Sequence, residues 1–390
     1  MRRFVKYLVC TIIVLILLGA ARADELPTPN KQLTLVSIGS WGQVDYALQL
    51  LKRHNADINI KQIEMHPEQV QVAIMAKQSD LDIFEFGNED YLLYANLGVL
   101  ANLSTNSKIT DAFASWAPEV IDLLRIDGGV FAMPLLILSP AYVLDGPIYR
   151  ASKFDWPKDH RISWSELVGL ADHAALGPQF GKPALFSDNI NFPWPLWQYL
   201  GLQASKNDRI VFDTDTFRET MEAYKKLVNS GAVVDSEVQD GDNPEPTVAG
   251  LMSWDISQND DAERRMLFTL NGEIAEIAWP HVISVNASSD QYDLAMEFME
   301  CLATPEAQKA TMFGIDGFFL KDVNEYKGAI SDEDIQYRDA LLKSWVLRRS
   351  FPEFYLYCAT GVFADYYEDR LTVDELIGML QKKLDMILME

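Results

Sequence analysis

Two α/β lobes are what this sequence predicts, and three observations carry the prediction. The chain has 390 residues, a length that favours two domains. From residue 33 onward, short apolar runs alternate with helical patterns, which implies parallel sheets. From Leu270 to Phe319 the order is strand, helix, helix, a further α/β stretch late in the chain. Hydrophobic residues make up 48% of the sequence and aromatics 11%, enough for sizeable cores.

Residues 1–23 read as a secretory leader. Arg2, Arg3 and Lys6 form a basic end, Tyr7 to Leu18 an apolar run, and Ala21-Arg22-Ala23 a small-residue cleavage site. The leader places the mature chain outside the cytoplasm, in the periplasm or at the cell surface. Cys10 lies inside the apolar run, not after it where a lipid-bearing cysteine stands. An uncut leader acting as an anchor is the alternative. The formal charge is −24, and loss of the leader takes it to about −28. Such a balance argues against nucleic acid and against anionic membrane surfaces, and disfavours strongly anionic ligands. Cys301 and Cys358 remain, either paired by export chemistry or as two buried thiols.

The first lobe opens with strands at 33–38, 58–63 and 81–86. Helices at about 44–52 and 70–77 lie between them. Ligands of parallel α/β sheets sit beyond the carboxyl ends of the strands. That rule selects Ser40, Trp41, Glu85 and Asn88. Trp116 and Pro118 begin a further helix; the resemblance described below implies a hairpin at Asp127-Gly-Gly-Val and, at 135–144, the strand that first leaves this lobe. In the second lobe, Ser163-Trp-Ser-Glu is a capped helix start. Residues 217–227 are an amphipathic helix ending at Gly231. On the return, Val282, Ile283 and Val285 make a strand, and Leu294, Ala295, Phe298, Met299 and Leu302 share a helix face. Thr304-Pro305-Glu306 starts another helix with a cap, a proline and an acid. Residues 332–348 read as helix. The terminus from Leu371 is a last amphipathic helix with a Thr-x-x-Glu start.

This order resembles the extracellular solute-binding proteins of ABC importers, in the sugar-binding family typified by maltose-binding protein. The match rests on Phe268, Asn271, Gly272, Ser284, Ser288, Ala295, Phe298, Leu302 and Thr304-Pro-Glu-Ala-Gln. Asp82-Ile-Phe-Glu, Asp127-Gly-Gly-Val-Phe-Ala-Met-Pro and the last helix add to it. In this family an "F-x-N-G" helix precedes the return strand. Where the family has "Y-N-K-D", this chain has Tyr142-Val-Leu-Asp.

The resemblance implies a type II periplasmic-binding-protein fold, with hinged lobes around a central ligand cleft. It implies a first lobe of 31–139 plus 281–325 and a second of 140–280 plus 326–390. It implies capture of a carbohydrate, most naturally an oligosaccharide, by a monomer that delivers it to ABC permease subunits. Aromatic faces suit sugar C–H surfaces, and carboxylates suit hydroxyls. Trp41 is then the best platform and Glu85 the best acceptor. Trp254 and Trp279 lie where the family carries cleft segments. Trp194, three before Trp197, serves either a core cluster or sugar stacking.

No cofactor is implied. The five histidines include no H-x-x-x-H pair, there is no G-x-S-x-G, and Asp240-Gly-Asp-Asn is too short for a calcium loop. Glu273 and Glu276, three apart on a helix, could imitate paired glycosidase acids, but helix-surface charge is the better reading. The competing functions are a membrane-tethered ligand sensor and, behind it, a secreted carbohydrate-active enzyme.

Overall fold

A computed structural model describes residues 31–139, 141–145, 159–173, 186–206, 209–235, 250–253, 262–274, 276–311, 317–322, 332–347 and 352–389. The leader, the 240–243 turn and Trp254 lie outside the described residues.

Strands β1 (Gln32–Val36), β2 (Asn59–Ile63) and β3 (Ile83–Phe86) run parallel in the order β2-β1-β3. Helices Gly42–His54, Pro67–Met75 and Asn88–Asn96 follow them in turn, the alternation that the sequence implied. Strands β4 (Arg125–Ile126) and β5 (Gly129–Val130) form the expected hairpin, with Asp127 and Gly128 at φ 47° and 81°. A two-residue turn of that hand needs positive φ at both positions. Strand β6 (Met133–Leu138) belongs to the same sheet, and β7 (Ala141–Asp145) to another, so the chain changes sheets between them.

The second sheet joins β7 to β8 (Arg161–Ser163), β11 (Gly250–Ser253), β12 (Ala262–Leu270) and β13 (Glu273–Ile274). A parallel pair, β9 (Phe186–Asp188) with β10 (Val233–Asp235), stands apart. Strand β14 (Glu276–Val285) then returns to the first sheet, antiparallel to both β3 and β6. Strand β15 (Trp345–Leu347) adds beside β14, with Trp345 opposite Glu276. The helix Pro352–Cys358 packs in the second core. Among the described residues the chain thus leaves the first sheet after β6, returns to it at β14, and enters the second core again after β15, three crossings in all.

Each face of the first sheet has its own core. Ile83, Leu135, Ile283 and Phe298 fill one, and Phe84, Ile137, Val282 and Tyr337 fill the other. The second sheet shares a core with the last helices, where Trp164 stacks on Phe268 at 4.3 Å. The anticipated caps are in place. Ser163 and Glu166 exchange hydrogen bonds, as do Thr372 and Glu375, and Thr304 Oγ1 accepts from the Ala307 N–H. Arg338, buried, donates to the carbonyls of Phe318 (2.9 Å) and Leu320 (2.7 Å), tying the helix Asp332–Leu342 to the first core.

Three expectations fail. Phe268 to Gly272 is no helix: Phe268 lies in β12, and Asn271 and Gly272 turn the chain at φ 52° and 78° into β13. Glu273 and Glu276 accordingly stand on strands, not three apart on a helix. The 332–348 helix ends at Leu342, because Trp-Val-Leu is aromatic and branched and finds an open edge on β14. Of the two readings left open for Cys301 and Cys358, the structure has the second: both are free and buried, in separate cores.

Asp188 closes β9 by accepting from the Trp194 N–H (2.9 Å) and the Tyr224 hydroxyl. The residue as a whole is half-buried, but its carboxyl is enclosed, and burial pushes it up from 3.8 to about 7. The folded chain thus holds a proton that the unfolded chain has released. The stability this confers is full below about pH 4 and is lost as pH rises through about 7. Asp188→Asn keeps an acceptor for Trp194. Its melting temperature is expected to fall by several degrees less than that of the unaltered protein between about pH 5 and about pH 8. Equal slopes in thermal denaturation would contradict this.

Candidate functional site

The carboxyl ends of β1 and β3 meet the incoming end of β14. After β1 the chain runs Gly39-Ser-Trp-Gly, and the helix Gly42–His54 starts at once with Trp41 as its cap residue, in extended conformation. Trp41 is turned inward, 8% exposed, and its indole Nε1–H donates to Glu85 Oε2 at 2.8 Å. The Gly39 N–H donates to the same oxygen at 2.9 Å. A Cβ on residue 39 would lie 3.0 Å from the Trp41 Nε1, so a larger residue there would press on the indole.

Glu85 stands on β3 between Phe84 and Phe86, which belong to the opposite core, so the pleat points its carboxylate to the Trp41 side. Its side chain is 13% exposed. On β14, His281 Nδ1 comes to 3.8 Å from Glu85 Oε1, and its ring lies 6.1 Å from that of Trp41, tilted by 46°. Trp279, two residues earlier, falls on the same face of the strand. It is half-buried and pairs with Leu138, the last residue of β6 before the first change of sheet. A carboxylate held from one side, an imidazole and a half-open indole thus line one strip. Such a strip can accept hydrogen bonds and cover an apolar face.

Of the residues selected from sequence, Trp41 and Glu85 are in direct contact. Ser40 is exposed beside them. Asn88 is the first residue of the helix that follows β3. Trp254 follows Ser253, which pairs with Ala141 where the chain enters the second sheet. Trp194 is elsewhere: it is 8% exposed in the second core, with Phe192 and Leu196. Sequence reasoning missed Gly39 and His281. The signal for His281 was available, since Trp279 and His281 are two apart in a strand. Among the described residues no group of histidine, cysteine or acid side chains could hold a metal ion, and no helix is long and apolar enough to cross a membrane.

No curated protein matches the chain by sequence. Solved structures do match by fold. The sugar-binding protein MalE from Xanthomonas citri superposes with a TM-score of 0.69 at 16% identity, over 92% of this chain and 97% of that one. A sugar transporter from Rhizobium etli, in an open conformation, gives 0.68 at 16%, over 91% and 99%. An ABC substrate-binding protein from Listeria monocytogenes in complex with cycloalternan gives 0.64 at 17%, over 92% and 98%. These likenesses establish the two-lobed periplasmic-binding-protein fold. A family model described as bacterial extracellular solute-binding protein matches residues 46–319, more than half of the sequence. The chain belongs to that extracellular solute-binding family.

Proposed function

We propose that this protein captures a carbohydrate, of oligosaccharide size, between its two lobes and delivers it to the permease subunits of an ABC importer. The observation that carries the reading is Glu85. Its carboxylate is fixed at a strand end by two N–H donors to one oxygen, which leaves Oε1 for a ligand hydroxyl or amine. The half-buried Trp279 supplies a ring two positions from His281 along the same strand. Fold relatives described as sugar-binding support a sugar as the solute. Trp41, being buried, acts as the holder of Glu85 and not as an open platform. Ser40 is exposed beside the strip; Asn88, at the start of the helix after β3, and Trp254 are kept as ligand contacts on the strength of the family resemblance.

We place residues 31–139 and 276–347 in the first lobe and 141–270 and 352–389 in the second, following the cores they fill. Closure then bends the three crossings. The protein works as a monomer outside the cytoplasm, after removal of residues 1–23, and makes or breaks no bond.

Calorimetry of the chain from Asp24 onward, against neutral and amino oligosaccharides, is expected to find a ligand with Kd in the micromolar range or below. No heat across the whole panel would overturn the reading. Trp279→Ala is expected to weaken that ligand about tenfold or more through loss of ring contact. Trp41→Phe keeps the ring but removes a donor to a carboxylate, and is expected to cost about tenfold in affinity. Unchanged affinity in both variants would remove these two residues from the site.

A further inference from the structure

The state of Glu85 says more about the solute than its shape does. Both of its hydrogen bonds fall on Oε2, from Gly39 and Trp41. Oε1 has His281 Nδ1 as its neighbour at 3.8 Å, outside hydrogen-bond reach. Among the described residues no lysine or arginine pairs with this carboxylate, and its side chain is 13% exposed. The two donors that hold it are neutral. Closing a lobe over it removes the remaining water. An anion shut away with neutral partners is costly, and a matching charge offsets that cost. A sugar hydroxyl would fill a lone pair of Oε1 and leave the negative charge to His281 alone, 3.8 Å away and cationic only when protonated. An ammonium group would do both. The formal charge of −24 also draws cations towards the protein and keeps anions away.

We propose that the solute is an amino sugar oligomer, with a protonated amine seated on Glu85 Oε1. This rests on the carbohydrate reading above and names the class within it. His281 borders the amine, its side chain 40% exposed, and Trp279 covers the sugar ring beside it.

The geometry also foretells what Glu85→Gln does. Gly39 and Trp41 present two N–H donors to one position, so the amide must put its carbonyl oxygen there. The NH2 group then occupies the place of Oε1 and meets the ammonium donor to donor.

The test is calorimetry at pH 7 with β-1,4-linked and α-1,4-linked tetramers, each as glucosamine, N-acetylglucosamine and glucose. One glucosamine tetramer is expected to bind at least about tenfold more tightly than its N-acetyl and hydroxyl counterparts, as a charge-assisted bond implies. That binding is expected to weaken when salt rises from about 20 to about 500 mM. Glu85→Gln is expected to erase or reverse the preference, with thermal denaturation showing that the variant folds. The comparison of tetramers on the unaltered protein stands without the variant. A neutral tetramer that binds as well as or better than its amino form would overturn the inference and leave the carbohydrate reading intact. No binding by any tetramer would overturn the inference, and failure of the wider oligosaccharide panel would then remove the carbohydrate reading too.

Discussion

Strand β14 has to satisfy two environments in ten residues, and the rest of the structure follows from that. Its second half, Val282 to Val285, is buried between β3 and β6 and contributes to both cores of the first sheet. Its first half carries Trp279 and His281 on one face and pairs on its free edge with β15. A strand buried on both sides reads as a near-continuous apolar run, and Val-Ile-Ser-Val fits that with one buried serine, Ser284. The register shift between His281 and Val282 lets the open half sit differently from the buried half. Because β14 is antiparallel to β3, its open half emerges where β1 and β3 end. The same register therefore anchors the strand in the first sheet and brings His281 beside Glu85.

Much of this was legible in the sequence. The β1-helix-β2-helix-β3 alternation, the Asp127-Gly128 hairpin, the capped helices at Ser163, Thr304 and Thr372, and the strand-end position of Trp41 and Glu85 are local. Each is fixed by nearby residues and a known backbone preference. What was missed depends on partners far away in sequence. Trp345 to Leu347 becomes a strand because β14 offers an edge some seventy residues upstream. Phe268 to Gly272 turns instead of winding because β12 is held by β7 and β8. His281 looked isolated, and becomes a site residue only beside Glu85, almost two hundred residues away. Trp194 could not be assigned from composition, and the aromatic core around Phe192 accounts for it.

Membership of a solute-binding family fits what the candidate site offers. Glu273 and Glu276, the one acid pair that invited a hydrolytic reading, lie on neighbouring strands of different sheets. Glu85 has one carboxylate oxygen occupied by two fixed hydrogen-bond donors, which suits an acceptor that must keep one orientation. The two thiols are buried in separate cores, where burial pushes Cys301 up to about 11 and Cys358 up to about 12, far from the reactive range. The ring-rich second core and the buried Arg338 tie together elements distant in sequence.

The central claim is that the lobes approach one another when solute binds. Spin labels at Gln49→Cys and Lys226→Cys sit on exposed helix positions, one in each lobe, and the native thiols are buried. The label-to-label distance measured by double electron–electron resonance is expected to shorten by several ångströms on addition of a bound oligosaccharide, with the distribution narrowing. A distribution unchanged at saturating ligand would contradict closure as the basis of capture.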